Sequence, residues 1–203
     1  MTQSNQIILQ NLLQDIKQCS LCAPHIPSPN PVLSVGNSAK ILIIGQAPGS
    51  KVHASGIPWN DASGDRLRRW MGIEKKVFYD KSLIAIVPMG FCYPGKGKSG
   101  DLPPRPECVR TWHKKVLDQL PNIQCTLLIG QYAQLHYHPE AGKTVTERVS
   151  NWRSFTPKVF MLPHPSPRNL FWFSRHPWFE EDTVPALQKA LSKLVNPQTN
   201  DAE

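Results

Sequence analysis

Four short apolar runs punctuate the chain: Ile41-Leu42-Ile43-Ile44, Leu83 to Val87, Cys125 to Ile129 and Val159 to Leu162. Runs this short, without polar alternation, predict strands covered on both faces, as in a parallel sheet packed between helices. Between them, apolar residues recur at helical spacing. Ile7, Ile8, Leu12, Leu13 and Ile16 share one face and predict an amphipathic helix over residues 4–18. Leu67, Trp70 and Met71 predict another, with Ser63 as its N-cap and Gly72 at its C-terminal stop. Pro106-Glu107 suits a first helical turn, because proline lacks only an orphan donor there and a carboxylate suits the positive helix end. That helix is expected to run to about Leu120. Gln131 to about His136, Thr144 to about Trp152 and Thr183 to Leu194 complete the set. Strands alternating with helices define an α/β fold, with one domain over 1–203 and a polar, frayed tail at 195–203.

Two stiff loops follow strand candidates. Gly45-Gln46-Ala47-Pro48-Gly49 follows the first run, and His164-Pro165-Ser166-Pro167-Arg168-Asn169 follows the last. Ligands collect beyond the carboxyl ends of strands in open parallel sheets, so the two loops are expected to meet there. Residues 88–106, crowded with proline and glycine, predict a long irregular loop of the kind that is commonly functional.

Charge adds a partner class. The 23 Lys+Arg against 15 Asp+Glu give a net charge of +8, which concentrates polyanions, nucleic acid among them, at the surface. Lys96, Lys98, Arg105 and Arg110 are candidates for phosphate contact or for a solvated face. No run approaches a membrane span and the N-terminus lacks a secretory pattern, so a cytoplasmic location is expected. Disulfides are rare there, and the five cysteines read as thiols or metal ligands.

The loops also carry chemistry. Glycines at 45 and 49 allow close backbone approach, and Gln46 offers both a donor and an acceptor. Trp59 suits stacking on a base or packing in the core. Asp61 suits orienting a water or, like Ser63, capping a helix. His164, held between a strand end and two prolines, can aim its imidazole at a leaving group, while Ser166, Arg168 and Asn169 supply donors for phosphate or base edges.

These residues resemble the uracil-DNA glycosylase superfamily over roughly residues 19–190. Gly45 to Gly49 looks like its first motif, closest to the iron-sulfur-containing branch of thermophiles and many bacteria. His164 to Asn169 resembles its second, closest to the single-strand-selective monofunctional branch. The resemblance implies a three-layer αβα sandwich around a central four-stranded parallel sheet. It implies a monofunctional glycosylase of base-excision repair that flips uracil or another deaminated base out of DNA and hydrolyses its glycosidic bond. Trp59 would stack the base with Gly45 and Ala47 beside it, Asp61 would orient the water, and Gln46 and His164 would position water and base. Ser166, Arg168 and Asn169 would contact DNA. Leu170, with Phe171 and Trp172 next to it, stands where superfamily members wedge a side chain into the gap left by the base. The expected partner is DNA carrying a damaged base, bound by a monomer.

Two departures sharpen this reading. Gln46-Ala47 stands where the best-known branch has a carboxylate, and Asp61-Ala62-Ser63-Gly64 resembles a D-x-S-G segment that places a catalytic aspartate, which favours Asp61 over Asp65. Pro88 falls where an asparagine ordinarily reads uracil, which leaves either backbone groups to read another lesion or a weak activity. Cys19-Ser20-Leu21-Cys22, with Cys92 and Cys108 separated by fifteen intervening residues, resembles the branch's cluster-binding pattern. Four thiolates suit a [4Fe-4S] cluster, with tetrahedral zinc as the alternative, while Cys125 reads as core. Two other functions fit the same loops: nucleic-acid binding without catalysis, and an α/β enzyme acting on free nucleotides.

Overall fold

The computed structural model describes residues 3–196, and the segment 197–203 of the expected tail lies outside them. The four apolar runs form β1 (Ile41–Ile44), β2 (Ile84–Ile86), β3 (Cys125–Ile129) and β4 (Val159–Leu162). All pairs are parallel, in the order β2-β1-β3-β4, with Ile41 opposite both Ile84 and Cys125 and Thr126 opposite Val159. Alternate side chains of each strand enter two separate cores, because successive residues point to opposite faces.

One core joins Ile41, Ile43, Ile84, Ile86, Leu127 and Leu162 to Leu67, Trp70, Phe179, Leu187 and Leu191. It lies beneath α3 (Ala62–Met71) and α9 (Val184–Val195). The other joins Leu42, Ile44, Ala85 and Leu128 to Leu9, Ile16, Val116 and Ala133. It is covered by α1 (Gln3–Lys17), α5 (Lys114–Leu117) and α6 (Gln131–Tyr137). Three layers result: helices, sheet, helices. None of the described helices is long and apolar enough to cross a membrane.

Several expectations shift in detail. In α1 the buried residues are Leu9 and Ile16, with Leu12 and Leu13 partly buried, whereas Ile7 and Ile8 are about half exposed. The i, i+3, i+4, i+7 stripe therefore begins at Leu9, and Ile7 and Ile8 lie off it. Asp61, not Ser63, caps α3, because its extended backbone lets Oδ1 accept from the Gly64 amide at 2.9 Å. The helix expected from Pro106 contains a π-type turn, Val109–His113, before α5. Short helices also form without strong periodicity: α2 (Ser50–Ser55), α4 (Lys75–Phe78) and α8 (Leu170–Arg175). Thr144 caps α7 (Val145–Ser150) in a capping box with Glu147, the pattern T-x-x-E written in the sequence.

Candidate active site

All four strands deliver their carboxyl ends to one cavity of about 650 Å³. Its walls include Gly45, Gln46 and Ala47 after β1, Pro88 after β2, Gly130 after β3, and Pro163 and His164 after β4. The first loop is clamped there, since the amides of Met89 and Gly90 donate to the carbonyls of Gly45 and Gln46, each at 2.9 Å. The expected Trp59, Asp61, Ser166, Arg168 and Asn169 line the same cavity. Residues more than a hundred positions apart thus share one wall, as the parallel topology requires.

Trp59 is held in an unusual backbone. Its φ is +56°, a left-handed conformation that bulky residues rarely adopt. Arg68 of α3 donates to its carbonyl at 3.4 Å, and the Tyr79 hydroxyl donates to the carbonyl of Pro58 at 2.9 Å. Gly64 permits this turn, because a Cβ there would stand 1.8 Å from the Trp59 carbonyl oxygen. The surrounding contacts thereby over-determine a strained residue at the cavity wall. The indole ends up packed on Gly45 and tilted against the His164 ring, with ring centroids 5.7 Å apart.

Asp61 faces the cavity while one of its oxygens caps α3. Asp65, one turn on, pairs instead with Arg68 and does not line the cavity. In the second loop, Asn169 donates through Nδ2 to the His164 carbonyl at 2.8 Å, and Ser166 Oγ accepts from the Arg168 amide at 3.2 Å. Arg66 reaches the carbonyls of Pro165 and Ser166 at 3.4 and 3.3 Å. The loop is therefore fixed from inside and from α3. Burial pushes the His164 pKa below the ordinary imidazole value, against the opposing pull of Asp61 and Asp101. An uncharged imidazole carries one N–H donor, suited to an oxygen that gains negative charge.

Some participants were not singled out in the sequence. His113, 2% exposed, presents Nε2 to the Pro88 carbonyl and Nδ1 to the Tyr137 hydroxyl, each at 2.8 Å. A carbonyl only accepts, so Nε2 bears the proton and the Tyr137 hydroxyl donates to Nδ1. Burial lowers the His113 pKa and raises that of Tyr137 to about 12, which keeps both neutral. The Pro88 carbonyl is thus already engaged, and is not among the backbone groups left to read a base. Gln134, fully buried, donates to the carbonyls of Leu128 and Leu162 and accepts from Arg148, tying α6 and α7 to the ends of β3 and β4. Nothing in local patterning marks His113, Tyr137, Gln134 or Arg148, because the partners that define their roles are distant in sequence.

The long loop supplies a further wall. Residues 95–102 fold back as a small hairpin, with Lys96 bridged to Asp101 and the Leu102 amide donating to Gly95 at 2.9 Å. Arg168 reaches the Ser99 carbonyl at 3.5 Å, and Ser99, Gly100, Asp101 and Leu102 line the cavity. Arg105, a candidate phosphate contact, is instead paired with Glu107.

Cys19, Cys22, Cys92 and Cys108 lie within electrostatic reach of one another, each of the last two feeling the first two. Burial raises the thiol pKa of Cys22 and Cys92 and takes Cys108 to about 12. The Phe91 amide donates to Cys108 Sγ at 3.4 Å, and the backbone of Asn30 donates to Cys92. No three His, Cys, Asp or Glu side chains among the described residues are placed to hold a metal ion. Cys125 is core, 1% exposed.

Leu170 does not line the cavity; it and Phe171 are exposed, at 58% and 66%, beside the second loop. Arg175 lies over the Phe171 ring at 3.9 Å. Trp172 turns inward and donates to Thr146 at 2.8 Å.

The cavity at the carboxyl edge of the parallel sheet thus combines an indole face, a carboxylate and an uncharged imidazole. The family model described as the uracil DNA glycosylase superfamily matches residues 33–188, which contain all four strands and both loops. The chain belongs to that superfamily, whose activity on DNA agrees with its positive charge. Cys19 and Cys22 fall before the matched segment.

Proposed function

We propose that the protein is a monofunctional DNA glycosylase that hydrolyses the N-glycosidic bond of uracil or another deaminated base. The observation that carries this reading is the convergence of Trp59 and Asp61, from the turn before α3, and His164, from the loop after β4, on one cavity. A base must leave the duplex to enter it, at a cost of a few kcal/mol that stacking on Trp59 offsets. Leu170 and Phe171, exposed beside the second loop, are suited to fill the vacated stack.

In the reaction the C1′–N bond breaks and its electron pair stays with the base. Asp61 holds a water, whose oxygen bonds to C1′ as the carboxylate takes its proton. His164 donates its N–H to the oxygen of the departing base anion, and Gln46 fixes water or base through its amide. Among the described residues no lysine lines the cavity, which favours water over an amine as nucleophile. Ser166, Arg168 and Asn169, with their loop amides, hold the flanking phosphates.

The four thiols support a [4Fe-4S] cluster held by Cys19, Cys22, Cys92 and Cys108. Their mutual reach and the two N–H···S hydrogen bonds suit sulfur ligands of a cluster. Tetrahedral zinc is the alternative that four thiolates also suit. The cluster would brace the segments before β1 and after β2 rather than take part in hydrolysis.

The test is incubation with single- and double-stranded oligonucleotides bearing uracil, hypoxanthine or xanthine, followed by scission at abasic sites. Base release that disappears in Asp61→Asn is the expected result. No release from any of them by folded, metal-replete protein overturns the proposal.

A further inference from the structure

The hairpin at 95–102 does more than close one wall. It carries Asp101 to the mouth of the cavity, with Oδ2 3.7 Å from where a Cβ on Gly49 would stand and Oδ1 accepting from the Tyr93 hydroxyl at 3.3 Å. The first loop carries no acid of its own, and Gly49, lacking a side chain, leaves room beside it for one from elsewhere. Asp101 fills that room. From this position it acts electrostatically on His164, as Asp61 does, so two carboxylates bear on one imidazole.

We propose that Asp101 is a second carboxylate of the glycosylase reaction, stabilising positive character on the sugar. This rests on the glycosylase reading above. A flipped base lies deep, against Trp59 and Pro88, while its sugar remains attached to the strand at the mouth. Asp101 is solvent-exposed at that mouth. An acidic group there repels DNA phosphates before reaction, so it weakens ground-state binding. It gains attraction only as the glycosidic bond opens and the sugar becomes cationic, the condition under which a charge accelerates a reaction.

The hairpin is anchored to the second loop rather than left loose. Arg168 donates to Ser99, and a Cβ on Gly100 would stand 2.6 Å from the Arg168 Nη1. Gly100 has φ +151° and the Gly97 amide donates to its carbonyl at 2.6 Å. Binding of phosphate by Arg168 and placement of Asp101 are therefore mechanically linked.

The experiment compares wild type, Asp101→Asn and Asp101→Glu in single-turnover and steady-state base release, with binding to an uncleavable substrate analogue and thermal unfolding measured in parallel. The expected result for Asp101→Asn is a fall in kcat of about tenfold or more, because one preorganised electrostatic partner is lost. KM and Kd should stay level or fall, since a phosphate-repelling charge is gone, and Tm should stay within a degree or two. Asp101→Glu, which keeps the charge, should recover part of kcat. An active wild type with kcat unchanged in Asp101→Asn overturns the role, as does a rise in KM together with a drop in Tm in both variants. An inactive wild type overturns the glycosylase reading and this role with it.

Discussion

A Cβ on Gly45 would lie 2.8 Å from Cζ2 of Trp59, so the first loop of the site is shaped around the indole that walls it. Gly45→Ala must displace the ring, because 2.8 Å is well inside carbon contact distance. The expected outcome is a loss of about tenfold in kcat/KM with a shift in tryptophan fluorescence. Trp59→Ala should cost about 1–3 kcal/mol of transition-state binding, the worth of one base–aromatic stack.

Asp61 has two separable duties, capping and chemistry. Asparagine caps about as well as aspartate, whereas alanine forfeits about 1 kcal/mol of helix stability. Asp61→Asn should therefore retain Tm and lose base release, while Asp61→Ala loses both. Thermal unfolding beside single-turnover rates checks the split.

His164→Ala removes a donor aimed at developing negative charge, with an expected fall in kcat of about 10²–10³. His113 and His164 both have pKa values lowered by burial. The unfolded chain, with imidazoles near 6.5, binds protons that the folded chain refuses, so stability rises with pH through that region. This contribution is complete above about pH 6.5 and is lost as pH falls toward the lower folded values. Denaturant titrations from pH 5 to 8 should show it, with a shallower slope in His113→Phe.

His113→Phe also frees the Pro88 carbonyl. A buried acceptor left unpaired costs about 1–3 kcal/mol, and the strand end that carries Pro88 into the cavity wall loses its tether. The expected outcome is a lower Tm with altered preference across a panel of uracil, hypoxanthine and xanthine oligonucleotides. Tyr137→Phe should lower Tm less, because the Nε2–H to Pro88 bond survives.

Iron and acid-labile sulfide in stoichiometric amounts, with visible absorption, are the expected result for the native protein. Cys108→Ser should remove the absorption and lower Tm. A colourless, metal-free preparation of equal stability and activity would contradict the cluster.

The order of elements was legible in the sequence because strand burial and helix amphipathicity are written in neighbouring residues. Ile41 to Ile44 needs no distant partner to read as a covered strand, and Asp61-Ala62-Ser63-Gly64 announces a helix start whichever oxygen caps it. The two loops stood out for the same reason: their stiffness and donors are local. What the tertiary structure alone decided is which groups meet. It put Asp65 on Arg68 and Asp61 in the cavity, engaged the Pro88 carbonyl with His113, and brought Asp101 from a hairpin to the empty space beside Gly49. Such meetings depend on parallel crossovers and on loops folding back over tens of residues, and no periodicity in a single chain records those distances.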